Sequence, residues 1–580
     1  MVLSLVMASC GPGEVEEEEE EELLPPTEPK HGGTLEIIGG ELGAIDPTIN
    51  QAIRCGHMQW TSSELMQGDW SKGPQGTGET AWDWGFLGDI TLESGELAES
   101  WELPDDETII YNLRKGIYYH DKPPANGREL TADDVVWNIQ MQFNYPPAWQ
   151  TIAYPPTEPA VVTGELLPGD PRRPTSVKTL DEYTVEVKVP AASQAIMLLE
   201  IGDNLYTNPP ECWTEGDGWK SWEDIVGSGP WILADYVTGS YVTYEKHPNY
   251  FESDPIHPGN RWPYLDAVKL LIIPDRSSQL AAFRTAKIDM MAGFGAVTVE
   301  EFEDTIKRCP DLEWSSRTST PAVAAGRVDK AGLPFYDIRV RQAMNLAVNQ
   351  KEILRDYLKG EGVMLGYPFA PTKGFEKFYT PLEEMPEEVQ MLFTYDPERA
   401  RELLAEAGYP DGFKTTIVCT ATSADEVSML KAYLADVDID MEIQTVESGQ
   451  WFSMRAEKAF EEMSYGVAAG LWAPFEQLTT KRGMVENVAC IDDPYFDEVG
   501  KVIGRDMVKD PENYFNTMKE AAVYELSLAW AIWMPCRYLY NMWWPWVQNY
   551  YGISWSGWAN ISDWYKGIWI DPEMKKSMGY

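Results

Sequence analysis

Residue types that carry catalysis are present, but none stands in a recognised catalytic spacing. The sequence has no G-x-S-x-G nucleophile motif, no G-x-x-x-x-G-K-[ST] phosphate loop and no H-E-x-x-H zinc motif. Cys55 and His57 are the only close pair of soft metal ligands, and two ligands do not make a metal site. With 93 Asp and Glu residues, no carboxylate pair can be singled out for glycoside hydrolysis. The sequence therefore predicts a non-enzyme without cofactor or metal.

Aromatic side chains offer binding rather than catalytic chemistry. The chain has 24 tryptophans, and nine of them fall in its carboxyl-terminal part: Trp530, Trp533, Trp543, Trp544, Trp546, Trp555, Trp558, Trp564 and Trp569. Aromatic walls suit sugars, aromatic solutes and quaternary amines. Because one solute cannot contact nine rings, we expect most of these tryptophans to pack in a core.

The charge composition restricts the partners. Lys and Arg number 46 against 93 acids, which gives a formal net charge of −47. This balance argues against binding to nucleic acid, whose phosphates need a basic surface. It indicates solubility in a salty medium, or an acidic cleft for a cationic solute, and the even spread of the acids favours the first interpretation.

The elements that would position such residues follow an α/β pattern. Residues 107–114 alternate apolar and polar side chains, which predicts a strand. Thr131, followed by two acids, predicts the start of a helix whose apolar face extends to Phe143. Beyond Pro274 the pattern changes from strands to alternating helices and short strands. A chain of 580 residues is too long for one core, so we expect two to four lobes.

The amino-terminal residues suggest a targeting signal and a membrane anchor. Met1–Ser9 are apolar and precede Cys10-Gly11, which is similar to the end of a bacterial lipoprotein signal. We therefore expect Cys10 to be lipidated. The acidic run from Glu16 to Glu22 and the prolines after it predict an extended linker. The six other cysteines are compatible with disulfides or with buried thiols.

Several short sequence motifs, separated along the chain, resemble motifs of one protein family. They are Gly32–Leu35 with Ile45–Pro47, the stretch from Leu97 to Phe143, Gly227–Pro230 with His247–Tyr250, and Asp337–Ala347. Together they resemble the family 5 extracellular solute-binding proteins, the peptide- and nickel-type receptors of ABC importers. The resemblance implies an α/β fold like that of periplasmic binding proteins, with two large lobes closing on a cleft and a smaller inserted lobe.

The resemblance also implies a division of the chain. Its expected segments are a signal remnant (1–9), a lipidated cysteine and linker (10–30), a discontinuous lobe I (31–58, 175–273 and 530–580), lobe II (59–174) and lobe III (274–529). Chain crossings near Pro274 and Trp530 would form the hinge between the large lobes.

Function is expected to follow the family. The protein would capture a peptide or similar small solute and deliver it to the permease subunits of an ABC transporter. We expect a monomer in the periplasm or on the outer cell surface, held to the membrane by its lipid. The open alternatives are a secreted polymer hydrolase with an aromatic substrate track, a binding protein for an oligosaccharide or cationic solute, and a purely structural surface protein.

The expected ligand residues also come from the resemblance. Glu41 stands where peptide-binding members place an acid that reaches the ligand. The lobe III acid that holds a peptide amino group is replaced here by Gly470, so Glu41 or Glu476 would substitute for it. Other side chains expected to contact the solute are Trp60, Phe294, Trp472 and Phe475.

Overall fold

Two large β-sheets and one smaller sheet organise the chain. The computed structural model describes residues 28–43, 45, 56–83, 88–145, 148, 150–151, 155–157, 165–214, 219–467, 487–557 and 563–580. None of the helices in these ranges combines the length and apolar character that crossing a membrane requires.

The strands are, in chain order, β1 (Thr34–Gly39), β2 (Met66–Gly68), β3 (Glu93–Gly95), β4 (Ala98–Glu102), β5 (Thr108–Leu113), β6 (Ser176–Asp181), β7 (Thr184–Lys188), β8 (Trp231–Val237), β9 (Tyr241–Lys246), β10 (Ala267–Ile272), β11 (Met290–Met291), β12 (Glu313–Thr318), β13 (Ala322–Gly326), β14 (Gly362–Val363), β15 (Phe413–Thr420), β16 (Ile439–Val446), β17 (Met463–Val467), β18 (Ala531–Trp533), β19 (Cys536–Trp543), β20 (Val547–Gln548) and β21 (Trp569–Ile570).

The α-helices are α1 (Met58–Thr61), α2 (Ala132–Asn144), α3 (Gln194–Gly202), α4 (Glu211–Thr214), α5 (Arg276–Arg284), α6 (Val299–Arg308), α7 (Ile338–Leu346), α8 (Gln350–Glu352), α9 (Glu387–Met391), α10 (Pro397–Glu406), α11 (Ala424–Ala435), α12 (Ser448–Ala456), α13 (Pro494–Lys509), α14 (Pro511–Ser527) and α15 (Pro572–Ser577).

The first sheet is assembled from distant parts of the chain. Its strand order is β12-β19-β11-β1-β10-β9-β8, and β14 also pairs with β19. The central strand β1 runs parallel to β10 in the register Thr34↔Ala267 to Gly39↔Ile272. Leu35 and Ile37 on one face of β1 are buried, as the two-residue period of a strand requires.

The four-stranded antiparallel sheet β4-β5-β7-β6 and helix α2 form a separate layer. The predicted strand over 107–114 is confirmed as β5, whose residues Ile109, Tyr111 and Leu113 are buried. The predicted helix start at Thr131 is also confirmed. Asp134 accepts a hydrogen bond from the Thr131 backbone N–H at 2.9 Å, the reciprocal half of a capping box.

The second sheet, ordered β16-β15-β17-β13-β18, carries α7, α10 and α11 on one face. Val340, Leu403 and Leu430 of these helices belong to the same buried cluster as Ile417 of β15. Parallel pairing of β15 with β16 and β17 fits strands that are separated by helices.

The strand pairing departs from the expected division at two places. β6 and β7 lie in the four-stranded sheet, although residues 175–273 were expected in lobe I. β11 and β12 pair with β19 in the first sheet, although they follow Pro274. The chain passes from the first sheet to the second after β12 and returns between β18 and β19; between these points, β14 also pairs with β19 of the first sheet. The alternation of side chains predicts a strand but not the sheet to which the strand belongs, because strands pair with distant parts of the chain.

The five cysteines in the described ranges are unpaired thiols: Cys212, Cys309, Cys419, Cys490 and Cys536. Cys10 and Cys55 lie outside those ranges. The interpretation as buried thiols therefore holds for Cys212, Cys419 and Cys536, which are buried.

Candidate functional site

A cavity of about 350 Å³ opens beside the carboxyl end of β1. Its size falls within the range of small-solute sites. Glu41 and Trp60, two of the predicted ligand residues, both line this cavity. The cavity wall is built by the first sheet, the loop after β1, helix α1 and the chain before β21.

Glycines after β1 bring the Glu41 loop to the cavity. A Cβ on Gly39 would lie 2.5 Å from the Leu270 Cβ, so only glycine lets β1 pass β10 this closely. A Cβ added to Gly40, which also lines the cavity, would meet no other atom within 4 Å. The next residue is Glu41, whose side chain is therefore presented at the mouth.

The Glu41 carboxylate is held in place by the β8–β9 hairpin. The Tyr236 hydroxyl donates to Oε2, and the Gly239 backbone N–H donates to Oε1 at 2.9 Å. The hydrogen bond to Glu41 raises the pKa of Tyr236. Because each carboxylate oxygen has two lone-pair directions, Glu41 can accept further hydrogen bonds from a solute.

The floor of the cavity is aromatic. Trp60 stacks on Tyr244 with ring centroids 5.0 Å apart and an interplanar angle of 13°, and its centroid lies 4.7 Å from that of Tyr565. Tyr565 in turn stacks on Trp564 at 3.9 Å. Such pairs each contribute about 0.5–1.5 kcal/mol beyond area burial, so they fix the ring faces that a solute would meet.

Charge in this cavity has one sign. Glu41 is the only Asp, Glu, Lys or Arg among its described lining residues; His57 also lines it. No basic side chain of that wall neutralises the carboxylate, which therefore favours a cationic group on the solute.

The remaining predicted site residues divide into two groups. Phe294 lies in the 3₁₀ turn Gly293–Gly295, and both glycines of this turn line the cavity. Trp472, Phe475 and Glu476 lie outside the described residues. The structure thus brings Glu41, Trp60 and the Phe294 turn to one cavity.

Sequence reasoning missed the tyrosines of the site. Tyr236 and Tyr244 stand on the strands of a hairpin, where their alternation predicts only a half-buried sheet face. Tyr565 lies in the aromatic tail. As expected, most tail tryptophans are core residues: Trp530, Trp533, Trp543, Trp544, Trp546, Trp564 and Trp569 are buried.

Within the described residues, no group of three or more His, Cys, Asp or Glu side chains is arranged to hold an ion.

A comparison with known protein families assigns this architecture to one of them. The sequence model of "bacterial extracellular solute-binding proteins, family 5 Middle" matches residues 94–485, well over half of the chain. The chain belongs to family 5 of the bacterial extracellular solute-binding proteins. The resemblance carried by the motif phrases is thereby confirmed.

Individual relatives agree with the family 5 assignment. Heme-binding protein A of Haemophilus influenzae is 28% identical over 386 residues, covering 64% of this chain and 64% of the relative. The dipeptide-binding protein of Escherichia coli is 26% identical over 388 residues, covering 64% of this chain and 66% of the relative. The matches therefore span slightly less than two thirds of these two relatives.

Solved structures confirm the family 5 fold along nearly the whole chain. The periplasmic binding protein DppA from Helicobacter pylori, in complex with the peptide STSA, superposes with a TM-score of 0.69 at 20% identity, covering 93% of this chain and 98% of that chain. The predicted two-lobed α/β fold of the periplasmic-binding-protein type is confirmed by this likeness.

Proposed function

We propose that this family 5 protein is the substrate-binding component of an ABC importer. It captures a small solute with a cationic group, most simply the free amino terminus of a peptide, and delivers it to permease subunits. The observation that carries the proposal is the cavity beside β1. There a single unneutralised carboxylate, Glu41, stands over an aromatic floor centred on Trp60.

The family relatives support a binding role. Two of them are named for binding heme and dipeptides, and a structural neighbour holds a peptide. A non-enzyme is the corresponding proposal, since a receptor needs stoichiometric binding and no turnover. These relatives disfavour the alternative of a polymer hydrolase. The alternative of an oligosaccharide ligand is tested by including a trisaccharide in the binding experiment.

Two short connections between the large sheets suggest how solute binding could change the conformation that a permease recognises. Residues 319–321 join β12 to β13, and residues 534–535 join β18 to β19. Each connection is short and contains a proline, Pro321 or Pro535, which confines rotation to few bonds. A solute that contacts both lobes only when they close shifts the population toward the closed form.

Several further predictions belong to this proposal. Cys10 is the proposed lipidation site, and the chain would work as a monomer on the periplasmic side or outer surface of a membrane. Trp472, Phe475 and Glu476 are proposed to contact the same solute as Glu41. Phe294 is proposed as a ligand residue because its backbone turn borders the cavity.

Isothermal calorimetry with matched solutes tests the proposal. The probes are a tripeptide with a free amino terminus, the same tripeptide N-acetylated, and a neutral trisaccharide. We expect one-to-one binding of the free peptide, weaker binding of the acetylated peptide and no hydrolysis of any probe. Preferred binding of the trisaccharide would show that the solute is a sugar and not a peptide. Hydrolysis of any probe would overturn the receptor function.

A further inference from the structure

The Glu41 cavity has a polar side chain to which the proposed function gives no role. Gln279 of helix α5 lines the cavity together with Glu41, and its side chain is half-buried. Strands β1 and β10 run in parallel, with Gly39 opposite Ile272 at their carboxyl ends. The Glu41 loop follows β1 and helix α5 follows β10, so both residues lie beyond the same edge of the first sheet. Ligands of open α/β sheets bind at such an edge.

Two neighbours fix the orientation of the Gln279 amide. The Arg276 guanidinium donates to its Oε1 at 3.1 Å, and its Nε2 donates to the Ile273 carbonyl oxygen at 2.7 Å. A guanidinium only donates and a carbonyl only accepts, so these contacts also determine which end of the amide is the oxygen. Arg276 is itself held by the Glu301 carboxylate through hydrogen bonds of 2.8 and 2.7 Å. The amide is therefore oriented before a solute arrives.

The oriented amide keeps hydrogen-bonding capacity for a solute. A side-chain amide has two N–H donors and two acceptor directions, and each neighbour of Gln279 uses one of them. One donor and one acceptor direction therefore remain. Gln279 is neutral, and the charge of Arg276 behind it is paired with Glu301. The cavity thus offers a carboxylate, from Glu41, and a neutral donor–acceptor pair, from Gln279.

A peptide group is complementary to this neutral pair. Its C=O accepts from an N–H and its N–H donates to a carbonyl oxygen, so a side-chain amide can bind it through two hydrogen bonds. In a peptide with a free amino terminus, a single carbon atom separates the ammonium group from the first peptide group. Simple amines and diamines have the cation and lack the peptide group. Glu41 and Gln279 together therefore favour an ammonium group beside an amide.

We propose that Gln279 is a ligand residue that pairs with the first peptide group of the solute, while Glu41 receives the amino terminus. This assignment rests on the proposed function, since it adds a second contact within the same cavity. The two residues then have separate tasks. Glu41 distinguishes a cationic solute from a neutral one, and Gln279 distinguishes a peptide from a simple amine.

Calorimetry of the natural protein tests the proposal with three probes that share one ammonium group and side chain. They are the tripeptide Leu-Ala-Ala, the depsipeptide in which an ester replaces its first peptide group, and isopentylamine. We expect the tripeptide to bind about 3–10-fold more tightly than the depsipeptide, which lacks the N–H, and the amine to bind most weakly. Equal affinities for tripeptide and depsipeptide would overturn the role of Gln279 and leave recognition by Glu41 in place. No binding of any probe would overturn both.

Gln279→Met assigns the difference between the probes to this side chain. Methionine keeps the length and helix propensity of glutamine, and it has neither the N–H donors nor the carbonyl oxygen. The tripeptide and the depsipeptide should bind Gln279→Met equally, whereas a merely structural role would weaken both by one factor and preserve their ratio. Gln342→Met, at a half-buried position in helix α7, is the control and should preserve the natural ratio. A tripeptide preference that persists in Gln279→Met would overturn the proposal.

Discussion

At the scale of single residues, the proposed choice of solute depends on the position of one carboxylate. Glu41 receives its orientation from Tyr236 and Gly239 rather than from a cation. Its negative charge is therefore oriented without being neutralised. A carboxylate of this kind discriminates by charge, because a cationic donor gains a charge-assisted hydrogen bond and a neutral solute does not.

Replacing Glu41 by Gln tests this discrimination. The Gln side chain keeps the shape and loses the charge, so a peptide with a free amino terminus should bind about 10–100-fold more weakly. The N-acetylated peptide should bind both proteins equally. Glu388→Gln, an exposed acid in α9, is the control and should change neither affinity by calorimetry. An unchanged affinity for the free peptide would show that Glu41 does not contact the solute.

Tyr236→Phe separates the orientation of Glu41 from its charge. Without the tyrosine hydroxyl, Glu41 keeps only the Gly239 N–H as a donor and samples more rotamers. We expect about 3–10-fold weaker binding of the free peptide, since one hydrogen bond contributes about 0.5–1.5 kcal/mol. The melting temperature should stay the same, because the hydroxyl contacts an exposed side chain. Full affinity in Tyr236→Phe would show that Gly239 alone positions Glu41.

A buried acid next to the hinge predicts pH-dependent stability. Burial raises the pKa of Glu525 in α14 to about 8, and the Tyr367 hydroxyl donates to its Oε1. Its ordinary value is 4.5, so the folded protein holds a proton here that the unfolded chain releases. The stabilisation is complete below about pH 4.5 and is lost as the pH rises toward 8, by at most about 1.4 kcal/mol per unit.

Glu525→Gln should remove this dependence, because the amide is neutral at every pH and its oxygen still accepts from Tyr367. Urea unfolding at pH 5.5 and 8.5 should show the variant gaining free energy of unfolding relative to the natural protein at the higher pH. Glu388→Gln serves again as the exposed control. Parallel pH profiles for the natural protein and Glu525→Gln would contradict a protonated Glu525.

At the scale of elements, close backbone approach joins α13 to the layer that contains α3. A Cβ on Gly504 of α13 would lie 1.9 Å from the Ala192 carbonyl oxygen, just before α3. The helix therefore packs backbone against backbone at this point. The exposed ion pair between Lys509 and Asp106, at 2.7 Å, lies near the end of the same helix and adds little stability.

Gly504→Ala should force α13 away from Ala192. We expect a loss of about 1–3 kcal/mol in the free energy of unfolding, the usual cost of overpacking, measured by urea titration. Gly449→Ala is the matched control in helix α12, where a Cβ would meet only the Glu447 side chain at 3.4 Å. That change should be neutral or slightly stabilising. Equal free energies for the two variants would show that α13 can shift freely.

Local elements were predictable from the sequence, and their partners were not. Strand β5 and the start of α2 follow from side-chain period and a cap, which are properties of adjacent residues. The membership of β12 in the first sheet depends on pairing with β19, more than two hundred residues later. The family resemblance predicts Glu41 as a ligand residue. Nothing in the sequence predicts Tyr236, because its contact with Glu41 forms only when the β8–β9 hairpin brings the two side chains together.

At the scale of the whole molecule, the high negative charge and the proposed recognition by Glu41 are separate features. The net charge of −47 is summed over the whole chain and favours the interpretation of solubility in a salty medium. In the Glu41 cavity, one acid stands without a basic side chain among the described lining residues. Because that charge is local, we expect recognition to depend on Glu41 and not on the overall composition.

We expect closure of the lobes to involve both of the short connections, residues 319–321 and 534–535. Arg537, just after the second crossing, forms an ion pair with Glu426 of α11, and the Tyr465 hydroxyl donates to the same carboxylate at 2.6 Å. The hinge region thus has defined side-chain contacts to both large sheets. A receptor with such a hinge reports occupancy by changing the population of closed molecules.

The most direct test of the central claim is native mass spectrometry of the protein as purified and after addition of a free tripeptide. The receptor function predicts a one-to-one complex in which the solute keeps its intact mass during prolonged incubation. Glu41→Gln should lose most of that complex under the same conditions. Release of solute fragments, or a complex that Glu41→Gln retains in full, would contradict a binding protein that recognises its solute through Glu41.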